Sequence, residues 1–569
     1  MTPPRALAWE LGLWLLFAAL LLAPTSFTPF TALIGDPRID VWNHAWGYWF
    51  VAEQLLRGEL PYHTTLIGGP DGGVLYFIDT PGALAALPIT LIFGPAAAYN
   101  LTLLMRVALS GFAARRLAAE LGGDGPHTVI AGLAYASTPF LLCELANGIS
   151  EVCATQWLAF TLWMAARAFR TGERRDWLLL GLLQGLTSVT TFYYGLCSAA
   201  LVLSAALVWR LSVAWAQGWR AFVPPSLLKN GLLSSAAGIL LILPHWLVFR
   251  ASLSDSRALI LRDPRMNLQL MEHNAVDPRV FVTPGDFQSV NLAELYGEPF
   301  VHTGYLRLSV LALAILGAVK ISRLRPWLGL ALWSLVLGLG PFLWWGGDWV
   351  KIGENLLSLP FDWIRRVLPQ VAITHPLRLS LGAQALFAAL AAGGVHALIT
   401  RWPNHSRLVL GLSAVIVLGE GLFGSAARWP IPSSDATLPA VYEDAGDGMV
   451  LELPVEVGTG MLTSRYFWSQ TKHNQPIPFT PDVRMGSTRD ARLVRALAGD
   501  PRQGGVMKDN PSPLSADAIQ HIRGRYSLIV LNLELEREAG IEGRYAPVLT
   551  SAFGAPQRDG ERLIWRLTP

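Results

Sequence analysis

A chain of 569 residues that is 52% hydrophobic and only 15% charged is not one soluble domain, and reads as a polytopic membrane protein. The formal charge of +3 and the lack of a basic run exclude a nucleic-acid partner. Cys143, Cys153 and Cys197 are scattered, which excludes a disulfide framework or a CxxC pair, and they read as buried thiols.

Apolar runs of about 17 to 25 residues mark spanning helices, and about eleven are predicted. They lie at 7–23, 97–118, 128–144, 152–169, 177–194, 196–215, 231–249, 305–320, 327–345, 377–399 and 407–424. The first reads as a retained signal anchor, because Leu11 to Ala23 lacks a small-x-small exit and runs into Pro24-Thr25-Ser26. Joints rich in Arg and Lys belong in the cytoplasm. With the N-terminus inside, those joints hold Arg115/Arg116, Arg167 to Arg175, Arg210 to Lys229, Lys320 to Arg325 and Arg401/Arg407, and the outer joint 145–151 holds neither residue type. An odd number of spans then sends everything after 424 to the outside. The expectation is a multi-pass protein of the inner (cytoplasmic) membrane.

Three long segments besides the C-terminal part face outward. The first, 24–96, ends in the apolar stretch Leu84 to Phe93, which is too short to span, contains Pro88, and is expected to be re-entrant or interfacial. The second, 250–304, carries His273, Asp286, Glu294, Glu298 and His302; the third, 346–376, runs into Thr374-His375-Pro376-Leu377-Arg378. Beyond the Pro- and Ser-rich linker at 430–439, strand-like runs at Met449–Leu453, Ser527–Leu531 and Arg562–Leu567 alternate with helical patterns such as Thr488–Leu497. The fold class is therefore mainly α: a membrane helix bundle over 1–424 with an extracytoplasmic soluble α/β domain over 425–569.

The stretch Gly35-Asp36-Pro37-Arg38-Ile39-Asp40-Val41-Trp42-Asn43-His44-Ala45-Trp46 follows the first apolar run closely. Asp36, Asp40 and His44 are spaced by four, so a helix there would line them along one face. Trp42, Trp46 and Trp49 would form a neighbouring stripe at the headgroup level. A carboxylate at the membrane rim can serve as general base, and an apolar wall raises its pKa toward that use. Asp36 is the first candidate and Asp40 the second; Asp36 before Pro37 also reads as a helix N-cap, with Pro37 the first helical residue. The same Asp36, Asp40 and His44 form a donor set for a divalent cation, or simply meet water.

Glu144, Asn147 and Glu151 crowd the outer joint, either as site residues or as solvated span ends. Arg378, with Thr374 and His375, is a candidate clamp for a lipid phosphate, the alternative being an arginine that snorkels to the headgroups. A Walker loop, HExxH and a strand-linked GxGxxG are all missing, which leaves ATP-driven transport and nicotinamide chemistry without support.

The chain resembles the GT-C superfamily of polytopic glycosyltransferases, most of all bacterial membrane members alongside the family-39 mannosyltransferases and the YfhO-like proteins. The resemblance rests on Gly35-Asp36-Pro37 with Trp42 and Trp46, then Gly58-Glu59-Leu60-Pro61-Tyr62 and Pro70-Asp71-Gly72-Gly73. Phe93-Gly94-Pro95 with Tyr99-Asn100, Thr138-Pro139-Phe140, Asn147-Gly148, Tyr193-Tyr194-Gly195, Pro376-x-Arg378 and the stretch from Leu453-Pro454 to His473 follow in familiar order. It implies transfer of a sugar from a polyprenyl-phosphate-linked donor to an envelope glycan, lipid or protein at the outer face. By this resemblance Asp36 is the base, Asp40 and Glu151 assist, and Arg378 steadies the carrier phosphate. Trp42, His44, Glu144, Asn147 and His375 would complete the substrate site, with membrane lipids as further partners and a divalent metal optional. The rival from another class is a lipid-linked glycan transporter or envelope-assembly scaffold that breaks no bond.

Overall fold

The computed structural model describes residues 4–218, 222, 225–259, 271, 274–285, 300–367, 373–454, 464–480, 513–538 and 540–567. His273, Asp286, Glu294, Glu298 and the pattern Thr488–Leu497 lie outside them. The first helices in chain order are α1 (Pro4–Leu21), α2 (Val41–Leu56), α3 (Thr80–Ala85), α4 (Leu87–Gly122), α5 (Val129–Ala136), α6 (Pro139–Asn147), α7 (Gln156–Thr171) and α8 (Arg174–Thr190). They are followed by α9 (Phe192–Gln217), α10 (Pro225–Ser254), α11 (Leu308–Lys320), α12 (Arg325–Gly338), α13 (Pro360–Val367), α14 (Leu381–Arg401) and α15 (Ser406–Gly424). Most of each predicted apolar run falls on helix, but 177–194 is broken at Thr191 and 327–345 leaves helix after Gly338 and ends in the short strand Trp344–Trp345. Among the described residues six segments are long and apolar enough to cross a membrane, at Leu87–Gly122, Pro126–Asn147, Phe192–Gln217, Pro225–Ser254, Pro376–Arg401 and Pro403–Gly424. The chain is a multi-pass membrane protein; α1 and α11 are apolar but shorter.

The bundle is organised around α14, whose residues from Leu381 to Val395 are all buried. Its Ala- and Gly-rich sequence lets neighbouring backbones approach closely, as membrane helices require when lipid offers no hydrophobic drive. A Cβ on Gly394 would lie 2.0 Å from the Leu313 carbonyl oxygen, and one on Gly317 would lie 2.3 Å from that of Leu390. Only glycine admits this crossing of α11 and α14.

Two expectations are corrected. The run 128–144 is not one helix: α5 ends at Ala136, and Thr138 is extended (φ −63°, ψ 137°) because Pro139 disfavours helical backbone in the residue before it. The stretch Leu84–Phe93 mostly belongs to α4, which runs on into the next span across a kink where Gly94 has φ 86° and Pro95 follows. Leu91, Ile92 and Phe93 keep an apolar face exposed there.

The C-terminal part is α/β and joined to the rest. Strand β1 (Ala32–Ile34) of the first outer loop pairs antiparallel with β2 (Ser433–Asp435). A four-stranded sheet follows from β3 (Met449–Leu453), β4 (Tyr526–Asn532), β5 (Gln557–Asp559) and β6 (Arg562–Arg566), in the order β5-β6-β4-β3, with β3 and β4 parallel. Helix α16 (Ser464–His473) packs on α2, so the two regions share one continuous hydrophobic core. The Trp stripe is thereby corrected. Trp42, Trp46 and Trp49 are buried rather than at headgroup level: Trp46 stacks edge-on with Phe467 at 5.3 Å and donates to Gln470 Oε1 at 2.9 Å, while Trp42 faces Trp468. An amphipathic ring with one N–H is satisfied as well by a protein partner as by a lipid headgroup.

Candidate active site

The segment from Pro29 to Asp40 is held by backbone groups before any side-chain chemistry begins. Asn100 accepts from the Ile34 N–H and donates to the carbonyls of Pro29 and Ala32; Tyr99 OH donates to Ile34 and Gly148. The Asp36 N–H donates to the Ala146 carbonyl at 2.7 Å and that of Asp40 to the Asn147 carbonyl at 3.3 Å. Gly148 has φ +75°, and a Cβ there would lie 2.7 Å from Val41 Cα, so the end of α6 can seat the start of α2 only with glycine. The two sequence-predicted acidic segments, 36–40 and 144–151, are thus stitched together.

Within that frame Asp36, Asp40 and His44 do not share one helix face. Helix α2 starts at Val41 with Asp40 as its N-cap, not at Pro37. Asp36 instead closes a turn with Arg38, accepting its backbone N–H at 2.9 Å and its guanidinium at 3.0 and 2.7 Å. Burial pushes the Asp36 carboxyl up, but the hydrogen bonds and charge of Arg38 outweigh it and hold the group below the ordinary range. Asp40 is partly exposed, and while its carbonyl accepts the His44 N–H at 3.2 Å, its carboxylate caps no backbone N–H of the helix. Burial raises its pKa, with His44 and Arg378 opposing and the carboxylates of Glu151 and Glu144 reinforcing. The predicted donor set for a cation is not assembled: Asp36 is spent on Arg38, and no cluster of three or more metal-ligating side chains occurs among the described residues.

His44 is buried, not a solvated neighbour. Its Nδ1 lies 3.2 Å from Ser150 Oγ and 3.3 Å from Glu151 Oε2, and burial lowers its pKa. Ser150 Oγ in turn donates to Asp79 Oδ2 at 2.6 Å. Asp79 also accepts from Tyr48 OH at 2.9 Å and from both terminal nitrogens of Arg106 at 2.9 and 2.8 Å. Burial pushes the Asp79 carboxyl up, yet Arg106 and these donors keep it below the ordinary range. Glu151 differs: burial and the Asp79 charge push it up to about 7.

Glu144 and Arg378 form the other half. Pro376 opens a short 3-10 turn, Pro376–Ser380, that lays Arg378 3.5 Å from Glu144 Oε1 and with its guanidinium 5.1 Å above the Tyr193 ring. The pair lines a recess with His302, His375, Asn274 and Thr303. Glu144 Oε2, Arg378 Nε and His302 Nε2 are buried with no hydrogen-bond partner among the described residues. Buried polar atoms left without a hydrogen-bond partner are uncommon in folded proteins, and here three of them face one another. Asn147 does something else: it exchanges two hydrogen bonds, 2.8 and 3.0 Å, with the backbone of Val301 and so holds the segment carrying His302.

The structure therefore gathers Asp40, His44, Glu144, Glu151 and Arg378, sets His375 at the rim, and leaves Asp36 at the edge with Arg38 and Trp42 under the C-terminal helix. Sequence reasoning missed Asp79, Arg106, Ser150 and the part played by His302. Arg106 could have been found: a lone arginine inside the apolar run 97–118 is costly in a membrane and implies a buried partner.

No protein-family model matches the chain, nor does any curated protein sequence. Among solved structures it is similar to the arabinofuranosyltransferase AftD from Mycobacteria, with a TM-score of 0.51 at 15% identity, over 100% of this chain and 42% of that one. The oligosaccharyltransferase of Archaeoglobus fulgidus aligns over 93% of this chain and 70% of its own at 11% identity and a TM-score of 0.49. ArnT from Cupriavidus metallidurans aligns over 99% and 98% at 12% identity and a TM-score of 0.41. The fold is similar to that of AftD, in keeping with the architecture that the motifs imply. At these identities the likeness speaks for the course of the chain alone, and the chemistry has to be argued from the site.

Proposed function

We propose that the chain is a membrane glycosyltransferase that moves a sugar from a polyprenyl-phosphate-linked donor to an envelope glycan, lipid or protein. The reaction takes place at the outer face of the inner membrane, with the N-terminus cytoplasmic and the C-terminal region outside. The observation that carries this reading is the recess of Arg378, His302 and Glu144, with unmet buried donors, beside the open carboxylate of Asp40.

Arg378 and His302 receive the donor phosphate, with His375 at its edge, and Glu144 keeps the guanidinium in place. Asp40 takes the proton of the acceptor's hydroxyl as that oxygen attacks the anomeric carbon. The bond from that carbon to the phosphate oxygen breaks, its electron pair stays on the phosphate, and Arg378 meets the charge. Such a leaving group needs little acid help. Glu151 and His44 support Asp40, while Asn147 and Trp42 position the segments that carry the site. Asp36, paired with Arg38, is the weaker base of the two first-loop acids and orients the loop. Since Asp36 is committed to Arg38, no step is routed through a metal.

The test is transfer of label from a polyprenyl-phosphate sugar in membranes carrying wild type, Asp40→Asn or Asp36→Asn. Asp40→Asn is expected to lose about 10²- to 10⁴-fold, the usual worth of a general base, and Asp36→Asn less than about tenfold. Equal transfer by wild type and Asp40→Asn would sink the assignment of the base. No transfer by wild type would return the transporter or scaffold reading to first place.

A further inference from the structure

Three polar groups under the site, Arg106, Asp79 and Ser150, are not used by the scheme above, and they lead in one direction to His44. Asp79 is ionised against Arg106, so it can only accept, and the single proton of Ser150 Oγ goes to it at 2.6 Å. Ser150 Oγ has then only lone pairs to offer His44 Nδ1, 3.2 Å away. Glu151 Oε2 lies at a similar distance but has no hydrogen-bond partner among the described residues, so it is Ser150 that meets the ring. Arg106 locks the arrangement from beneath by also donating to the Ser150 carbonyl oxygen.

We infer that Ser150, oriented by Asp79, is a positioning residue that fixes His44 as the Nδ1–H tautomer, leaving Nε2 as the proton-accepting atom and making His44 a proton carrier for Asp40 and Glu151. The wiring Arg106–Asp79–Ser150–His44 crosses four elements, α4, the turn before α3, the 148–153 joint and α2. The charged groups that act on His44 are Asp40, Asp79, Arg106 and Arg378, with Glu151 in contact. Asp40 differs in that its backbone is held, by the Asn147 carbonyl at 3.3 Å, while its side chain has no ion pair among the described residues and is partly exposed. Burial disfavours a charge on His44, while Asp40 and Asp79 oppose that effect, so a proton taken up at Nε2 would be held only briefly and passed on.

The role as a proton carrier rests on the transferase reading, but the tautomer does not. The full-length protein labelled with [15N]histidine in detergent reports which ring nitrogen carries the proton, and His44→Gln identifies the signal among the 11 histidines. Wild type should show Nδ1–H; Ser150→Ala should lose that preference and Ser150→Thr should keep it. In the transfer assay Ser150→Ala should lower the rate roughly tenfold and shift its pH profile, with Ser150→Thr restoring both. An Nε2–H signal in wild type overturns the inference, as does an unchanged tautomer and pH profile in Ser150→Ala. Absence of transfer by wild type alongside an Nδ1–H signal would instead defeat the transferase reading and leave the wiring standing.

Discussion

Two buried ionic centres lie side by side beneath the 24–40 loop, and they are built on opposite plans. In the first, Asp79 accepts from Arg106, Tyr48 and Ser150, and every oxygen of the carboxylate is engaged. In the second, Glu144, Glu151, Arg378 and His302 are equally buried, yet each keeps an atom with no hydrogen-bond partner among the described residues, and the Arg378–Glu144 and His44–Glu151 pairs are long, at 3.5 and 3.3 Å. A satisfied buried pair holds a fold in one arrangement, whereas an unsatisfied one costs free energy that only a ligand or a proton can relieve. Burial of charge alone would rank the two alike. The unmet atoms are what separate a structural knot from a site.

The largest expected effect breaks the first centre. Arg106→Leu strands the Asp79 carboxylate and should destabilise the protein by about 3–5 kcal/mol, seen as a collapse of the thermal unfolding midpoint in detergent. Arg378→Gln should behave differently, because Glu144 already has one unmet oxygen and can take up a proton. Its stability loss should stay near 1–3 kcal/mol, while transfer falls about a hundredfold through loss of the charge-assisted phosphate contact. If the two variants lose stability equally, the contrast between the centres is wrong.

A third effect, of intermediate size, depends on pH. Glu151 titrates at about 7 in the folded chain against an ordinary 4.5, so the folded state binds its proton more tightly than the unfolded state does. Its contribution is then fully present below about pH 4.5 and is lost as pH rises through about 7. Glu151→Gln keeps the neutral shape and removes that loss. The variant should be more stable than wild type by about 1–3 kcal/mol above about pH 8 and indistinguishable near pH 4. Unfolding midpoints at the two pH values check it, and a pH-independent difference would mean that burial does not raise Glu151 above its ordinary value.

What was legible in the sequence follows from which signals are local. Helix positions are written in apolar run length, and the strands Met449–Leu453, Tyr526–Asn532 and Arg562–Arg566 stand out as short apolar runs between turns, so both survive the comparison. Thr138-Pro139 and Gly94-Pro95 were visible as motifs but were not read as the breaks they cause. Glu144, Glu151 and Arg378 were singled out because ionisable residues at span ends stand out in apolar sequence, and the structure brings the three near one another. The role of the tryptophans was not, since an aromatic stripe suits a lipid interface and a protein interface equally, and Phe467, Trp468 and Gln470 lie over 400 residues away in the chain. Nor does spacing reveal that Ser150 and Asp79, 71 residues apart, share a proton. Periodicity of four likewise suggested one face for Asp36, Asp40 and His44, but a turn built by Asp36 itself postpones the helix to Val41.

That turn supplies the smallest effect and the sharpest contrast between neighbours. Asp36 and Asp40 are four residues apart and chemically identical, yet one is neutralised by Arg38, whose side chain is 68% exposed, and the other faces the buried cluster unpaired. An ion pair with one arm in water contributes little, so Asp36→Asn should change stability by less than about 1 kcal/mol and weaken further with added salt. Asparagine can still accept the Arg38 backbone N–H and keep the turn. Asp40→Asn should likewise leave the fold intact, because removing a carboxylate that burial disfavours costs nothing in stability. Thermal unfolding of the two variants should therefore be nearly superimposable, and only transfer should tell them apart. A large stability loss in Asp36→Asn alone would show that its pair with Arg38 clamps the loop, and the division of labour between the two acids would have to be reversed.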